Sequence, residues 1–347
     1  MKESSVVWPY PGIATGVGSM PGTDPREATA IVVGEIGSFP HVVELPARGP
    51  GSDPIGRTAS LLASVDRSFD VETTVTGWRV GHAGRRTLRN ARAWLSQDLE
   101  VLEEECGAHR GPVKIQVVGP LTLSARIEDA AGESLVRDHG AVAEIAEAAA
   151  SAFSELTQRM RRAFPHAEVI IQVDEADLPA VLSGRVRTSS GRLTYRSVEP
   201  PIVQGHLRTV VDAIATAGAV AGIRCAKPAP PIQLFIDAGA RFVALDLELT
   251  PPPDEALLRA WEDGVGLLLG CVPVASLDRP DIGDRDVSAG LRRFMSESGF
   301  THVPANVALT PSEGLAGVDP RQARRAIERC VRIGSIVRDD HPEVVGG

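Results

Sequence analysis

Polar and thiol side chains recur directly after short apolar segments along this 347-residue chain. The residues concerned are Ser19, Glu44, Asp174, Glu175, Cys225, Asp246, Glu248, Cys271 and Glu313. Carboxylate, hydroxyl and thiol groups can transfer protons, hold a substrate or bind a metal ion. At any one position, capping or solubility explains such a residue equally well. Their recurrence at the same end of successive segments favours one shared pocket.

A metal centre is the sharper hypothesis for this pocket. Zinc binds thiolate, imidazole and carboxylate ligands, and a catalytic zinc keeps one coordination position open. The candidate ligands are Cys225, Glu248, Asp246 and Glu313. Cys271 follows a further segment and is a possible additional ligand. The alternative is that both cysteines are small buried apolar residues.

Eight short apolar segments are predicted to be strands that bring these side chains together. They are Ile13–Val17, His41–Glu44, Lys114–Val118, Glu168–Val173, Val220–Arg224, Phe242–Leu245, Val265–Leu269 and Val303–Ala308. Most are followed by a helical pattern, which predicts a parallel sheet. We therefore predict an α/β fold, a (β/α)8 TIM barrel that forms a single domain over residues 1–347. The loops at the carboxyl ends of its strands would build the site.

Two stretches depart from this alternation. Residues 183–198 form a polar segment that predicts a hairpin inserted before the next helix. Residues 66–85 have no clear periodicity and are predicted to be an excursion from the barrel. Among the helices, Ser134–Ala163 is predicted to be one long element.

Composition narrows the class of partner. The net charge is −9 and aromatic residues make up 4% of the chain, so nothing indicates nucleic-acid binding. No apolar run approaches the roughly 20 residues that span a bilayer. The cysteines are widely spaced and the first residues carry no secretory pattern, so we expect a cytoplasmic protein. Dinucleotide binding is not supported, because Gly16-Val17-Gly18 lacks the third glycine of that motif.

Several short motifs, taken in order, resemble one enzyme family. They are Gly18-Ser19-Met20-Pro21-Gly22-Thr23, Glu44-Leu45-Pro46-Ala47-Arg48-Gly49, Gly119-Pro120-Leu121-Thr122, Gln172-Val173-Asp174-Glu175 and Pro311-Ser312-Glu313-Gly314-Leu315. The chain is similar over nearly its whole length to the catalytic C-terminal barrel of cobalamin-independent methionine synthase. That family lies within a superfamily that includes uroporphyrinogen decarboxylase.

The resemblance implies zinc-dependent transfer of a methyl group to the sulfur of homocysteine or a similar small thiol. It implies that Gly18, Ser19, Asp174 and Glu175 bind the amino-acid substrate, with Asp174 holding the substrate amino group. The methyl donor stays open: a folate or a methyl-donor protein would serve. No nucleic acid or membrane is implied as a partner.

The chain departs from the family at the metal. Ile223 stands where the family has a histidine ligand, and Glu313 stands where it has a cysteine. Ala176 replaces the proline that follows the Asp-Glu pair. The zinc site is therefore degenerate. Three hypotheses follow: a methyltransferase acting on a small thiol, a non-catalytic ligand-binding relative, and a metal-free decarboxylase-like lyase.

Metal analysis tests the predicted ligand set. If zinc is bound through Cys225, the purified chain should contain stoichiometric zinc, and Cys225→Ser should weaken binding by orders of magnitude because a thiolate ligand is lost. Elemental analysis of the wild-type and variant chains measures this. A chain that neither carries nor takes up zinc would exclude zinc-thiolate methyl transfer.

Overall fold

The computed structural model describes residues 8–250, 255–277 and 282–339. The strands are β1 (Ile13–Ala14), β2 (Val71–Thr73), β3 (Trp78–Val80), β4 (Pro112–Val118), β5 (Ile127–Glu128), β6 (Glu168–Asp174), β7 (Val220–Arg224), β8 (Phe242–Asp246), β9 (Gly266–Val272) and β10 (Val307–Pro311). Seven of them form one curled parallel sheet in the order β1-β10-β9-β8-β7-β6-β4. This arrangement confirms the predicted α/β class.

Helices connect most of the parallel strands. They are α1 (Pro25–Ile36), α2 (Pro54–Val65), α3 (Arg85–Cys106), α4 (Pro120–Arg126), α5 (His139–Ala163), α6 (Leu178–Leu182), α7 (Pro200–Thr216), α8 (Ile232–Asp237), α9 (Glu255–Glu262), α10 (Asp284–Glu297) and α11 (Pro320–Asp339). In the part of the chain that the structure describes, none of them is long and apolar enough to cross a bilayer.

Local sequence explains where these elements begin. Asp24 and Asp53 cap α1 and α2 by accepting hydrogen bonds from Arg26 N at 2.8 Å and Gly56 N at 2.9 Å, and proline occupies the first helical position in both. Every residue of β4 and of β9 is buried, because the sheet is covered on both faces.

Residues 40–44 lie between the two edge strands of the sheet. His41 pairs in parallel with Lys114 of β4, and Glu44 pairs in parallel with Ser19, which follows β1. Val42 N donates to Lys114 O at 2.8 Å and Glu44 N donates to Gly18 O at 3.1 Å. The predicted second strand thus contacts both edges through isolated bridges.

The stretch at residues 66–85 contains a small second sheet. Here β2 and β3 pair antiparallel, and β3 pairs with β5, a short strand after α4. These strands have no recognisable periodicity because each has only two or three residues. The inserted segment at 183–198 does turn back on itself, since Arg187 and Thr194 form an antiparallel bridge.

Several predicted boundaries were wrong. The first strand ends at Ala14 rather than at Val17, and the seventh predicted strand spans Gly266–Val272 rather than 265–269. The last parallel strand spans Val307–Pro311 rather than 303–308. Val307 N donates to Pro304 O in a turn, so the chain enters the sheet only after that turn. The long helix starts at His139 because Asp138 caps it, accepting from Gly140 N at 2.8 Å.

A glycine inside β7 tests the packing of the sheet interior. A Cβ at Gly222 would lie 2.3 Å from the Phe242 ring, so Gly222→Ala should lower the free energy of unfolding by about 1–3 kcal/mol. Gly205→Ala in α7 is the control, since no atom lies within 4 Å of its Cβ; it should raise stability by about 0.5–1 kcal/mol. Chemical denaturation measures both, and equal effects would contradict this packing.

Candidate functional site

The inside of the curled sheet has an apolar floor. Its residues are Trp8, Ile13, Phe39, Ile170, Phe242, Ala244, Leu268 and Ala308. Side chains two and four positions after an inward residue of a strand also point inward. On β6 these are Gln172 and Asp174, which follow Ile170, and on β8 the corresponding residue is Asp246. A polar layer therefore lies between the floor and the carboxyl ends of the strands.

The carbonyl of Val17 joins two strands of the polar layer. Lys114 Nζ on β4 donates to Val17 O at 2.9 Å, and Gln172 Nε2 on β6 lies 3.5 Å from the same oxygen. Lys114 also donates to Gln116 Oε1 at 3.3 Å, and Gln116 Nε2 donates to Val42 O at 3.0 Å. These hydrogen bonds hold the segment before Ser19 against β4 and β6.

Gly18 marks a close approach of backbone and side chain. Its φ is +148°, and a Cβ there would lie 2.3 Å from Gln116 Cδ. Only glycine permits both features. The predicted substrate-contacting Gly18 is therefore also the residue that lets the Ser19 turn pack on the polar layer.

Ser19 and Glu44 form an acid–hydroxyl pair, which sequence reasoning placed on neighbouring segments. Ser19 Oγ donates to Glu44 Oε2 at 3.1 Å. The guanidinium of Arg57, from α2, stands behind this pair: its Nε lies 4.0 Å from Glu44 Oε1, and its Nη1 donates to Val43 O at 2.8 Å. Glu44 and Arg57 are both buried, so the charge of Glu44 is balanced mainly by a buried cation rather than by water.

A second buried carboxylate completes this support. Asp98, on α3, lies 3.6 Å from Arg57 Nη1 and also accepts a hydrogen bond from Arg48. Burial raises the pKa of Asp98, and the two arginines oppose that shift. Arg48, Arg57, Asp98 and Glu44 thus form a chain of alternating charges that runs from the helix layer to the site.

Asp174 and Arg224 end the neighbouring strands β6 and β7. Asp174 Oδ1 accepts from Gln172 Nε2 at 2.8 Å. Burial raises the pKa of Asp174 to about 6, and the positive charge of Arg224 acts in the opposite direction. Arg224 Nη2 donates to Ser312 O at 3.2 Å. Within residues 8–250, 255–277 and 282–339 the guanidinium forms no ion pair, so most of its N–H donors are available to a ligand.

A cavity of about 400 Å³ lies at the carboxyl ends of the later strands. Its charged and hydroxyl-bearing lining residues are Arg224, Lys227, Asp246, Glu248, Ser312 and Glu313. Gly314 also lines it, and a Cβ at Gly314 would lie 3.1 Å from Ser19 Cβ. The Ser19–Glu44 pair is therefore next to this cavity.

A second cavity of about 400 Å³ adjoins the first, and Glu248 and Pro273 line both. It lies between the ends of β8 and β9 and helix α10, and Cys271 and Phe294 line it. The predicted residues Asp246, Glu248 and Glu313 are thus brought together, whereas Cys271 faces the neighbouring space.

Glu175 lies behind the site rather than in it. It is fully buried, and its two carboxylate oxygens accept from Leu121 N at 3.0 Å, Thr122 N at 2.8 Å and Thr122 Oγ1 at 2.7 Å. These are the first donors of α4, which a carboxylate satisfies well. Its place next to Asp174 in sequence does not bring it to the same face, so we assign it a positioning role.

The predicted metal ligands do not fit zinc as they are placed. Cys225 is buried and does not line the cavity that Asp246, Glu248 and Glu313 share. Burial raises the pKa of its thiol to about 12, with the charge of Glu175 adding to the shift, which disfavours the thiolate that zinc needs. No three His, Cys, Asp or Glu side chains of the described ranges are grouped to hold a metal ion. Zinc binding stays a prediction.

Sequence reasoning missed Lys114, Gln116, Gln172, Arg57 and Arg224 as site residues. A detectable signal existed for three of them. Lys114, Gln116 and Gln172 are polar residues inside otherwise apolar strands, and their spacing along each strand places them on the inward face. The contribution of Arg57 from a helix had no such signal.

Comparison with known proteins adds a likeness of fold. No family model and no curated protein matches the chain. A B12-independent methionine synthase from Shewanella sp. W3-18-1, solved in complex with selenomethionine, matches with a TM-score of 0.58 and 10% identity over 95% of this chain and 98% of that one. At this identity the likeness shows the fold alone, which is TIM-barrel-like.

Two further structures match more weakly. An oxaloacetate acetylhydrolase has a TM-score of 0.35 and 12% identity, over 96% of this chain and 85% of that one. A 2,3-dimethylmalate lyase has a TM-score of 0.34 and 14% identity, over 95% and 85%.

Glu175→Gln tests the positioning role. The amide would present N–H groups to the donors of α4, so we expect a loss of about 1–3 kcal/mol in the free energy of unfolding. Burial raises the pKa of Glu175 from 4.5 to about 7, so the folded chain keeps a proton that the unfolded chain has lost. The free energy of unfolding should therefore fall as pH rises between these values. The Glu175→Gln variant should lack this contribution to the dependence of the free energy of unfolding on pH.

Chemical denaturation across this pH range measures both effects. Glu144→Gln, an exposed acid on α5, is the matched control and should leave the stability and its slope unchanged. An unchanged stability in Glu175→Gln would mean that the carboxylate does not hold α4.

Proposed function

We propose that the chain binds a small sulfur-containing amino acid at the carboxyl ends of its parallel strands and transfers a methyl group to the sulfur of a thiol such as homocysteine. One observation carries the proposal: the Asp174 carboxylate and the Arg224 guanidinium, most of whose N–H donors are unused within the described part of the chain, end the neighbouring strands β6 and β7. A zwitterionic α-amino acid has the complementary pair of charges.

The roles of the residues follow from their charges. Asp174 and Glu44 accept hydrogen bonds from the ligand ammonium group, each already held in place by one protein donor, Gln172 or Ser19. Arg224 donates to the ligand carboxylate with the N–H groups that the Ser312 carbonyl leaves free. Fixing both ends of the amino acid would orient its sulfur toward the acidic lining of the cavity.

The acidic lining gives the thiol a proton acceptor. Glu248 and Glu313 line the cavity, and either carboxylate would take the thiol proton as the sulfur attacks the methyl carbon. The sulfur–carbon bond forms while the bond from the methyl carbon to the donor breaks, and the donor keeps the electron pair. The adjoining cavity beyond Glu248 would admit the donor.

The proposal includes a closed barrel of eight parallel strands in one domain. Its support is the segment at residues 40–44, which bridges β4 at His41 and the chain after β1 at Glu44. With this segment counted as the second strand, each predicted strand would have a neighbour on both sides. Closure would bring Glu44 next to Asp174 although the two are far apart in sequence.

Calorimetry tests the amino-acid site. We expect L-methionine and L-homocysteine to bind, and Asp174→Ala to weaken binding at least about 10-fold, because one charge-assisted hydrogen bond is worth roughly 1.5–3 kcal/mol. Asp212→Asn, an exposed acid on α7, is the control and should not change the affinity. Unchanged affinity in Asp174→Ala would exclude this pocket.

A product assay separates the methyltransferase from a non-catalytic relative that uses the same pocket. Incubation with L-homocysteine and a methylated folate should yield methionine, measured by mass spectrometry. Binding without any product from folate or other methyl donors would favour the ligand-binding relative.

A further inference from the structure

Lysine is rare in this sequence, although basic residues are not. The chain has 36 lysines and arginines, of which only Lys2, Lys114 and Lys227 are lysines. Arginine stays protonated in proteins, whereas a buried lysine can lose its proton near neutral pH. A buried lysine in this chain can therefore change its charge near neutral pH, whereas the arginines, which are nearly all of its other basic residues, cannot.

Lys114 is the lysine placed in the sheet interior. It is 0% exposed and lies third in β4, beside Ile170 of the floor and below Asp174 in the polar layer. Its ammonium contacts Val17 O and Gln116 Oε1 and is not part of the cavity lining. It therefore acts on a ligand only indirectly, through the groups to which it donates hydrogen bonds and through the effect of its positive charge on neighbouring groups.

Four charged or titratable side chains from three elements act on this ammonium group. Asp174 on β6 and Glu44 on the segment at residues 40–44 attract it, and Arg224 on β7 repels it. His41 pairs with Lys114 across the backbone bridge; burial and the Lys114 charge lower the pKa of His41 well below its usual range, so the ring stays neutral.

Burial outweighs the two carboxylates. The net result lowers the pKa of Lys114 to about 7, chiefly because a buried ammonium has lost its hydration. The amine is thus poised where a small change in nearby charge changes its protonation.

We infer that Lys114 is a positioning residue that fixes the Val17 carbonyl beneath the Ser19 turn. It also releases its proton to solvent when a cationic amino group of a ligand binds at Asp174. The inference rests on the proposed amino-acid site. Its first half rests on hydrogen bonds alone, and its second half follows because a second positive charge near Asp174 competes with the ammonium of Lys114 for the same carboxylate.

The consequence is a site with a nearly constant internal charge. In the free protein the protonated lysine balances Asp174 and Glu44. When the ligand ammonium takes over that role, the lysine becomes neutral, and no excess positive charge is left buried. The affinity for an amino acid should accordingly rise with pH through the titration of Lys114.

Heteronuclear NMR of lysine tests this directly. Replacing the other two lysines, in Lys2→Arg/Lys227→Arg, leaves Lys114 as the only lysine signal while its own surroundings stay intact. We expect its ¹³Cε signal to titrate near pH 7. Asp174→Asn in the same background should lower the midpoint by about one pH unit, because an attracting charge is lost. Saturating L-methionine should also lower it.

The outcomes separate the two claims. A Lys114 midpoint above about pH 9, close to that of a free lysine, or a midpoint unmoved by Asp174→Asn, overturns the inference whether or not an amino acid binds. A midpoint that L-methionine leaves unchanged although calorimetry shows binding also overturns it. A third outcome is that neither amino acid binds, although the Lys114 midpoint lies near pH 7 and shifts in Asp174→Asn. That outcome contradicts the proposed function and the release of the Lys114 proton on ligand binding. The role of Lys114 in positioning Asp174 and the Ser19 turn would still stand.

Discussion

The hydrogen bond from the Lys114 ammonium to the Val17 carbonyl, at 2.9 Å, is the contact on which the arrangement of the site depends. Val17 precedes the turn that carries Ser19, and Gln172, which holds Asp174, points to the same carbonyl. One backbone oxygen therefore relates the first part of the chain to β4 and to β6. If the Val17 carbonyl moved, Ser19, Glu44 and Asp174 would no longer keep their positions relative to one another.

Charges buried at this depth need compensation, because a desolvated ion without a partner costs several kcal/mol. The fold supplies it on two sides. From the helix layer, Arg57 stands behind Glu44 and is itself balanced by Asp98. From the sheet interior, Lys114 stands beneath Asp174. Arg57, Asp98, Glu44 and Lys114 are each less than one-tenth exposed, so protein partners rather than solvent hold them, and the site is preorganised for a ligand of matching charge.

Much of this architecture was predictable from sequence. Alternating strand and helix patterns specified the parallel sheet, and because its carboxyl ends share one edge, the acids after successive strands were expected to meet. Asp246, Glu248 and Glu313 line one cavity, but among the described residues no three such side chains are grouped to hold a metal ion. Glu175 was placed with Asp174 because the two are adjacent, yet the twofold period of a strand turns neighbours to opposite faces. Lys114 was taken as an ordinary strand residue, since its partners come from distant segments that no local pattern links. The short strands and the turn before β10 depend on tertiary contacts for the same reason.

A crystal of the chain grown with L-selenomethionine would test the central claim most directly. The anomalous signal of selenium locates the ligand sulfur position without assumption about the pocket. The account predicts one selenium peak in the cavity between Arg224, Glu248 and Glu313, with the ligand ammonium group at Asp174 and Glu44 and its carboxylate at Arg224. Ligand density elsewhere on the molecule, or ligand in this cavity with its ammonium group away from both carboxylates, would contradict it.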